Sequence, residues 1–332
     1  MAVYNTPGNY LRESIESILN QTYSNFEFII INDGSNNYET CNMLQEYEKK
    51  DERIKIIRNR SNIGLTKSLN IGLTIAKGKY IARMDADDIA MPTRFEEQVI
   101  YMNNHEDVVV LGTQVEKFGE KQEKEPMYFI DYTQGDYQEF LINMMFCNVA
   151  NIHPTVMIRH EFLKSNDIKY DENIKKAQDY KLWIDCISHG GRIYNLPSVL
   201  LKYRVHEDQI TSKNYDEQHK YIRSISKYTI KTYGFLLRNE EYQLILDLYS
   251  SVYVTRPQEY IKTIIKMIII NKEKHIFDNK VFAEVLKVRW LHKVFKCTVK
   301  GKSIRGWCCL YTWRCVFSKA MFKWIKMHLI RR

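Results

Sequence analysis

The sequence predicts an α/β fold, in which a mainly parallel β-sheet carries helices on both faces and is followed by a helical C-terminal region. Short apolar runs alternate with segments of helical period up to about residue 115, and turn signatures separate them. From about residue 213 the pattern is helical to the end. This order is typical of β-α units followed by a helical appendage. We therefore divide the chain into an α/β domain over 1–212, a helical extension over 213–284 and a basic, aromatic-rich tail over 285–332.

The first half supplies the β-α elements in order. YLRESIESILNQ predicts a helix, because Leu11, Ile15 and Ile18 fall on one face. The elements that follow are a strand in FEFIII that stops at the turn NDGS, a helix over 38–49, a strand in RIKII, a helix in LTKSLNIGLTIA, a strand in KYIARM, a helix over 93–104 and a strand in DVVVLG. In open sheets of this class, ligands bind outside the carboxyl ends of the strands. Tyr4, Asp33 and Asp85–Asp88 should therefore lie along one edge of the molecule.

The second half begins with mixed elements and ends in helices. HPTVMIRHEFL predicts a strand and then a helix, QDYKLWIDCISHG a helix, and VLLKYRVH a strand. The later candidate helices cover 215–235, 239–253, 257–271 and 279–296.

The composition favours a globular protein of a reducing compartment. Of the 332 residues, 45% are hydrophobic and 27% are charged. The seven cysteines are odd in number and lack the spacing of a disulfide framework or of a zinc site. Apolar runs stay short of the roughly 18–20 residues that span a bilayer. We expect a cytoplasmic protein, with peripheral attachment to the inner face of the membrane.

The acidic cluster Asp85-Ala86-Asp87-Asp88 ends the predicted strand KYIARM. Carboxylates with one residue between them can point to one hard cation, and Mg²⁺ and Mn²⁺ prefer such oxygen ligands. The alternative is an acidic loop before the next helix, since carboxylates stabilise helix N-termini. Taken alone, the triplet favours the loop, and Asp88 is the residue that we expect to serve the helix.

The arrangement of these motifs resembles that of family 2 glycosyltransferases. The similarity runs from Val3 to about residue 115 and resumes in AQDYKLW and NLPSVLLKYRVHEDQIT. It implies a GT-A fold, a bound nucleotide sugar, and a divalent metal, Mg²⁺ or Mn²⁺, at an Asp-x-Asp motif.

The resemblance also implies roles for individual residues in donor binding. Tyr4 would border the uracil, and Asp33 would accept a hydrogen bond from the base. Asn62 and Lys67 would contact ribose, base or diphosphate, although Lys67 could equally be a solvated helix lysine. Asp85 would contact the ribose or a metal-bound water.

The same resemblance assigns the metal ligands and the general base. Asp87 would bind the metal directly, and His206 would approach the metal or the diphosphate. Asp179, which follows Gln178 where the family commonly has a first acid, would take the proton from the acceptor hydroxyl. Asp179 could also cap the helix that follows it. His153 is a weaker candidate for the acceptor side.

Two further features set expectations. Only three residues precede Tyr4, whereas a strand typically needs about five, so we expect either a start further upstream or a shortened first strand. The 48 residues of the tail hold 13 Lys and Arg, no Asp or Glu, and four of the five Trp. Such a segment favours an anionic membrane surface, and the alternatives are a helical subdomain or an RNA-binding patch.

The resemblance, together with the basic tail, implies an inverting glycosyltransferase that moves a sugar from a UDP-sugar to a hydroxyl of a glycan or lipid-linked glycan in surface polysaccharide synthesis. We expect no nucleic-acid partner. The alternatives are a nucleotide-sugar-binding protein without transfer activity and a nucleotidyltransferase, although the sequence shows no glycine-rich phosphate loop.

Overall fold

The fold is described from a computed structural model, which covers residues 1–119, 126–127, 136–206, 215–249 and 256–299. The chain divides into two compact units. The first comprises Met1–Gln134 and Ala150–Tyr221, and the second comprises Gly135–Val149 and Ile222–Arg332. The tail beyond residue 299 lies outside the described residues.

All strands in the described part of the chain belong to the first unit. They are β1 (Ala2–Val3), β2 (Phe28–Asn32), β3 (Ile54–Arg58), β4 (Tyr80–Ala82), β5 (Ile89–Ala90), β6 (Val108–Gly119), β7 (Pro126–Met127), β8 (Met157–Arg159) and β9 (Arg192–Val205).

The predicted helices appear in the expected order, together with a helix over Tyr137–Met144 that was not predicted. They are α1 (Gly8–Leu19), α2 (Tyr38–Lys50), α3 (Leu65–Ile75), α4 (Arg94–Asn104), α5 (Tyr137–Met144), α6 (His160–Ser165), α7 (Gln178–Ser188), α8 (Tyr215–Thr232), α9 (Asn239–Asp247), α10 (Pro257–Lys274) and α11 (Asn279–Val299). A short 3₁₀ turn occupies His153–Thr155. No helix in the described part of the chain is long and apolar enough to cross a membrane.

The first sheet is parallel, in the order β1-β2-β3. Val3 pairs with Asn32, and Asn32 pairs with Arg58, so the carboxyl ends of these strands meet at one edge. The apolar run FIIIN of β2 is mostly buried, as expected for a strand covered on both faces.

The second sheet has the order β4-β8-β6-β9-β5 and is mixed. Only the β6–β9 pair is parallel among its described pairs, while β8 runs antiparallel to both β4 and β6. The α/β prediction is confirmed, but the parallel arrangement holds throughout only in the first sheet. Strand direction in the second sheet depends on pairs far apart in the chain, which local periodicity does not specify.

A cavity of about 590 Å³ lies in the first unit beside β2, α3 and β4. Its lining is largely apolar and includes Ile29, Gly72, Leu73, Ile81 and Phe95. The cavity adjoins the core, which is built from buried residues of α1, β2, α2 and β6 and contributes Phe95 to the cavity lining.

Candidate active site

The ends of β1 and β2 are joined by a polar network. The backbone N–H of Asp33 donates to the Val3 carbonyl over 2.8 Å. Asn5 has a left-handed backbone (φ 48°), and its side-chain oxygen accepts from the N–H groups of Asn36 and Asn37 at 3.0 and 3.1 Å. Tyr4 lies between these anchors and is half exposed. The network thus presents an aromatic ring on a fixed backbone at the strand ends.

Asp33 is buried, and its carboxylate supports the next loop. One oxygen accepts from Asn59 Nδ2 at 2.8 Å and from the Ile63 N–H at 2.9 Å, and the other accepts from the Gly64 N–H at 2.9 Å. Asn62, within this loop, and Lys67, in the first turn of α3, are both exposed. In this structure Asp33 positions the loop that carries Asn62.

The acidic cluster follows β4. Asp85, Asp87 and Asp88 each offer a carboxylate oxygen, and these three oxygens lie within 4.8 Å of one another. The Ser14 hydroxyl of α1 donates to the Asp85 carbonyl over 2.9 Å, which fixes the loop to the first helix. Oxygen atoms grouped this closely suit a small hard cation.

Arg83 neutralises one member of this cluster. Its guanidinium is 6% exposed and forms a two-point ion pair with Asp85, with both N···O distances at 2.5 Å. Bidentate Arg–carboxylate pairs are among the strongest hydrogen-bonded pairs in proteins. The Asp85 carboxylate is thus already engaged by Arg83.

Residues at the end of β9 contact Asp87 in the acidic loop, Asp85–Asp88. His206 Nε2 lies 3.0 Å from the Asp87 carboxylate. Arg204, two residues earlier on the strand, donates from Nε to the Asp87 carbonyl over 2.7 Å. The structure therefore brings Asp87 and His206 together, as their assignment to one metal site requires.

Asp88 is buried and differs from its predicted role. It does not serve the next helix, because the residue at the cap position of α4 is Thr93 and the Asp88 Oδ1 accepts from the backbone N–H of Arg204 at 2.9 Å. The other oxygen, Oδ2, is buried without a hydrogen-bond partner among the described residues. A buried carboxylate oxygen without a donor is costly. A buried oxygen without a donor, on a residue of this acidic cluster, fits a site that receives a cation.

The pKa values of Asp85 and Asp88 in the acidic loop are also shifted from their usual range. Burial raises the pKa of Asp88 well above its usual range, and the charges of Asp85 and Asp87 raise it further. Burial also raises the pKa of Asp85, with Arg83 acting against this effect. Burial and the neighbouring carboxylates therefore disfavour the charged form of Asp88, an effect that a bound cation would oppose.

Asp179 lies in the first turn of α7. It is not the helix cap, because the cap position belongs to Ala177, whose backbone is left-handed (φ 60°). Burial raises the pKa of the nearby Tyr170 hydroxyl, and the charges of Asp179 and Asp85 both add to this shift. Tyr170 thus lies within electrostatic reach of the proposed base and of the acidic loop.

His153 does not line an open acceptor surface. It is buried, and its Nε2 lies 2.8 Å from the Tyr170 hydroxyl. Burial, assisted by the charge of Arg83, lowers the pKa of His153 well below its usual value, so the ring is neutral. Its role is to hold Tyr170.

Two arginines of the site, Arg83 and Arg204, were missed by the sequence reasoning. Each stands two residues before a predicted site residue, Asp85 or His206; Arg204 lies in strand β9, and Arg83 directly follows β4. Alternate residues of a strand share a face, and this spacing is the signal that could have identified them.

Comparisons with known proteins agree on one family. The family model described as glycosyl transferase family 2 matches residues 1–165. An uncharacterized glycosyltransferase of Methanocaldococcus jannaschii is 39% identical over 242 residues, which are 70% of this chain and 77% of the relative. The O-antigen biosynthesis glycosyltransferase WbnJ of Escherichia coli is 35% identical over 201 residues, which are 59% of this chain and 75% of the relative.

A solved structure shares the fold. The crystal structure of S. aureus TarS residues 1–349 in complex with UDP-GlcNAc superposes with a TM-score of 0.57 over 92% of this chain and 87% of that one. The sequences are 19% identical, so this likeness concerns the fold alone.

Proposed function

Because the chain belongs to glycosyltransferase family 2 and has a GT-A fold, we propose that it is a metal-dependent inverting transferase. It moves a sugar from a UDP-sugar to a hydroxyl of a glycan or lipid-linked glycan in surface polysaccharide synthesis. The observation that carries the proposal is the acidic loop: three carboxylates grouped at a strand end, one of them with a buried oxygen that no described donor satisfies.

The donor site is proposed along the strand ends. Tyr4 borders the uracil, and Asp33 accepts from the base or holds the loop beside it. Asn62 and Lys67 contact the ribose, the base or the diphosphate. The fixed, half-exposed ring of Tyr4 supports this assignment. The complex of TarS with UDP-GlcNAc, on the same fold, supports a nucleotide-sugar donor.

The metal site is proposed at Asp87 and His206, with the free oxygen of Asp88 beside them. Mg²⁺ or Mn²⁺ fits this set, because such cations take one or two carboxylates and complete their shell with water and substrate phosphates. When bound, the cation supplies stabilisation of the negative charge on the departing diphosphate. Asp85, held by Arg83, faces the ribose side of the loop.

The chemistry proper is proposed for Asp179. Its carboxylate takes the proton of the acceptor hydroxyl as that oxygen attacks the anomeric carbon. Attack from the face opposite the diphosphate inverts the configuration. The place of Asp179 in the first turn of α7, in the motif that the resemblance assigns to the base, supports this role.

The acceptor and the location follow from different evidence. WbnJ is named for O-antigen biosynthesis, and this relationship supports a surface glycan as acceptor. The structure corrects the predicted start of the tail, because Trp290 and Lys293 are buried in the second unit and the helix that carries them runs to Val299. The part of the basic tail beyond residue 299 is proposed to bind the anionic inner face of the membrane.

The test is a panel of UDP-sugars assayed for UDP release with Mn²⁺, with Mg²⁺ and with EDTA. We expect one donor to give cation-dependent release that rises with a glycan acceptor. Asp179→Asn should lower transfer by roughly 10²–10⁴-fold, the range of general acid–base catalysis, and keep UDP binding.

The matched control is Asp185→Asn on the same helix, where the carboxylate pairs with Lys181 at 2.7 Å. It should transfer at close to the wild-type rate. Unchanged turnover in Asp179→Asn would remove the base assignment. Binding of UDP with no release from any donor would identify a sugar-nucleotide binder instead.

A further inference from the structure

Arg204, at the end of β9, contacts the acidic loop, helix α1 and two aromatic rings. Its backbone N–H donates to Asp88, its Nε donates to the Asp87 carbonyl over 2.7 Å, and its Nη2 pairs with the Glu13 carboxylate of α1. The guanidinium lies against the rings of Tyr10 and Phe118, with its central carbon 4.1 and 4.3 Å from the ring centroids. Arg204 is thus held on both faces and at its edge.

This environment is costly to build. Arg204 is 7% exposed, and a buried cation needs hydrogen bonds and a counter-charge to offset its lost hydration. The two aromatic contacts and Glu13 supply that compensation. Arg204 also donates to the Asp87 carbonyl, a contact that an ion pair with Glu13 alone would not need. Its contacts therefore extend to the acidic loop.

The contacts divide the loop into two parts. Arg204 holds the backbone of Asp87 and one oxygen of Asp88, whereas His206, two residues on, holds the Asp87 carboxylate. The ring of Tyr10 faces both, with its centroid 5.9 Å from that of His206. Strand β9 therefore sets the direction in which the Asp87 and Asp88 carboxylates point.

We propose that Arg204 is a positioning residue of the metal site, acting through its planar guanidinium and not through its charge alone. The proposal rests on the proposed function, because it concerns the cation that the acidic loop would hold. Lysine carries the same charge but has no fork of fixed N–H groups and no planar face to stack between two rings. Arg204→Lys is therefore the informative variant, with Arg204→Gln as its uncharged counterpart.

The first measurement is Mn²⁺ titration in the presence of UDP, followed by the paramagnetic resonance of free Mn²⁺. Both variants should raise the Mn²⁺ concentration at half-saturation by roughly tenfold, as supporting residues of metal sites do. The control is Arg192→Lys at the other end of β9, whose guanidinium pairs with the exposed Asp107 at 3.2 Å. It should bind Mn²⁺ as the wild type does.

The second measurement needs no metal. Amide hydrogen exchange of a peptide over 85–91 should be faster in Arg204→Lys than in the wild type and unchanged in Arg192→Lys. Equal exchange in Arg204→Lys and wild type would overturn the proposal, and so would rescue of Mn²⁺ affinity by lysine but not by glutamine. If the wild type itself binds no Mn²⁺ with UDP, the metal part of the proposed function fails, and hydrogen exchange still decides the role of Arg204.

Discussion

The acidic loop of the first unit and the helical core of the second unit bury very different side chains. The loop buries charge: Asp88 and Arg83 are each less than 10% exposed, and one Asp88 oxygen has no partner among the described residues. The helical core buries rings, with Phe282 stacked on Phe235 and Phe277 at centroid distances of 5.3 and 5.8 Å. The second unit is thus stabilised by apolar packing, whereas the acidic loop of the first unit buries charged groups, which costs folding free energy.

The largest expected effect concerns the aromatic core of the second unit. Phe282→Ala removes a fully buried ring from the stack and should lower the free energy of unfolding by about 3–5 kcal/mol, since the cavity adds to the lost burial. Urea denaturation followed by tryptophan fluorescence measures it. Phe282→Leu, which keeps most of the volume, should cost clearly less. Equal costs for both variants would contradict a packing origin.

The next effect tests the charged side. Asp88→Asn removes a buried charge while its Oδ1 can still accept from the Arg204 N–H. Near neutral pH and without metal, we expect the free energy of unfolding of Asp88→Asn to exceed that of the wild type by about 1–2 kcal/mol. We also expect the variant to bind Mn²⁺ more weakly. Gain of stability with loss of affinity is the signature of a ligand site.

The pH dependence of Asp88→Asn has a definite sign. Burial places the folded-state pKa of Asp88 above its usual 3.8, so between these two values the folded state holds more protons than the unfolded state. Wild-type stability therefore falls as pH rises through this window. The advantage of Asp88→Asn should be small at pH 4 and should grow toward pH 7. An advantage independent of pH would show that the charge is not its cause.

How far the sequence predicts the molecule depends on whether each feature is local. The order of strands and helices could be predicted, because periodicity and turn residues are local signals. The direction of the strands in the second sheet could not, since β8 pairs with β4 and β6 across long stretches of chain.

The same distinction applies to the site. The grouping of Asp85 and Asp87 could be predicted from their spacing. The role of Asp88 was predicted wrongly, because its partner, the Arg204 N–H, lies 116 residues away. The donor-site roles of Tyr4, Asn62 and Lys67 stay predictions.

His153 provides a smaller effect with the opposite pH dependence. Its folded-state pKa lies well below 6.5, so the unfolded state alone takes up a proton as pH falls below that value. Wild-type stability is therefore lost at acid pH, by about 1 kcal/mol between pH 7.5 and 5.5 for one proton. His153→Gln, which can still bond Tyr170, lacks this contribution. Its deficit relative to the wild type should shrink from pH 7.5 to 5.5 in urea titrations, and a constant deficit would exclude a neutral His153.

The smallest effect concerns a glycine of α3. Gly72 lies within this helix and lines the 590 Å³ cavity, and apart from its chain neighbours and the backbone of its own helix no heavy atom lies within 4 Å of the position that a Cβ would take. Gly72→Ala should raise the free energy of unfolding by about 0.5–1 kcal/mol, because alanine restricts the unfolded chain and favours the helix. Gly34→Ala is the contrasting variant: φ is +72°, and a Cβ would lie 2.4 Å from the Ser61 backbone. It should lose more stability than Gly72→Ala gains, and it should weaken UDP binding, because the turn after Asp33 packs on the loop that carries Asn62. If Gly72→Ala also lowered the free energy of unfolding, α3 could not accept a methyl group on the side that faces the cavity. The space beside Gly72 would then be unavailable to a side chain.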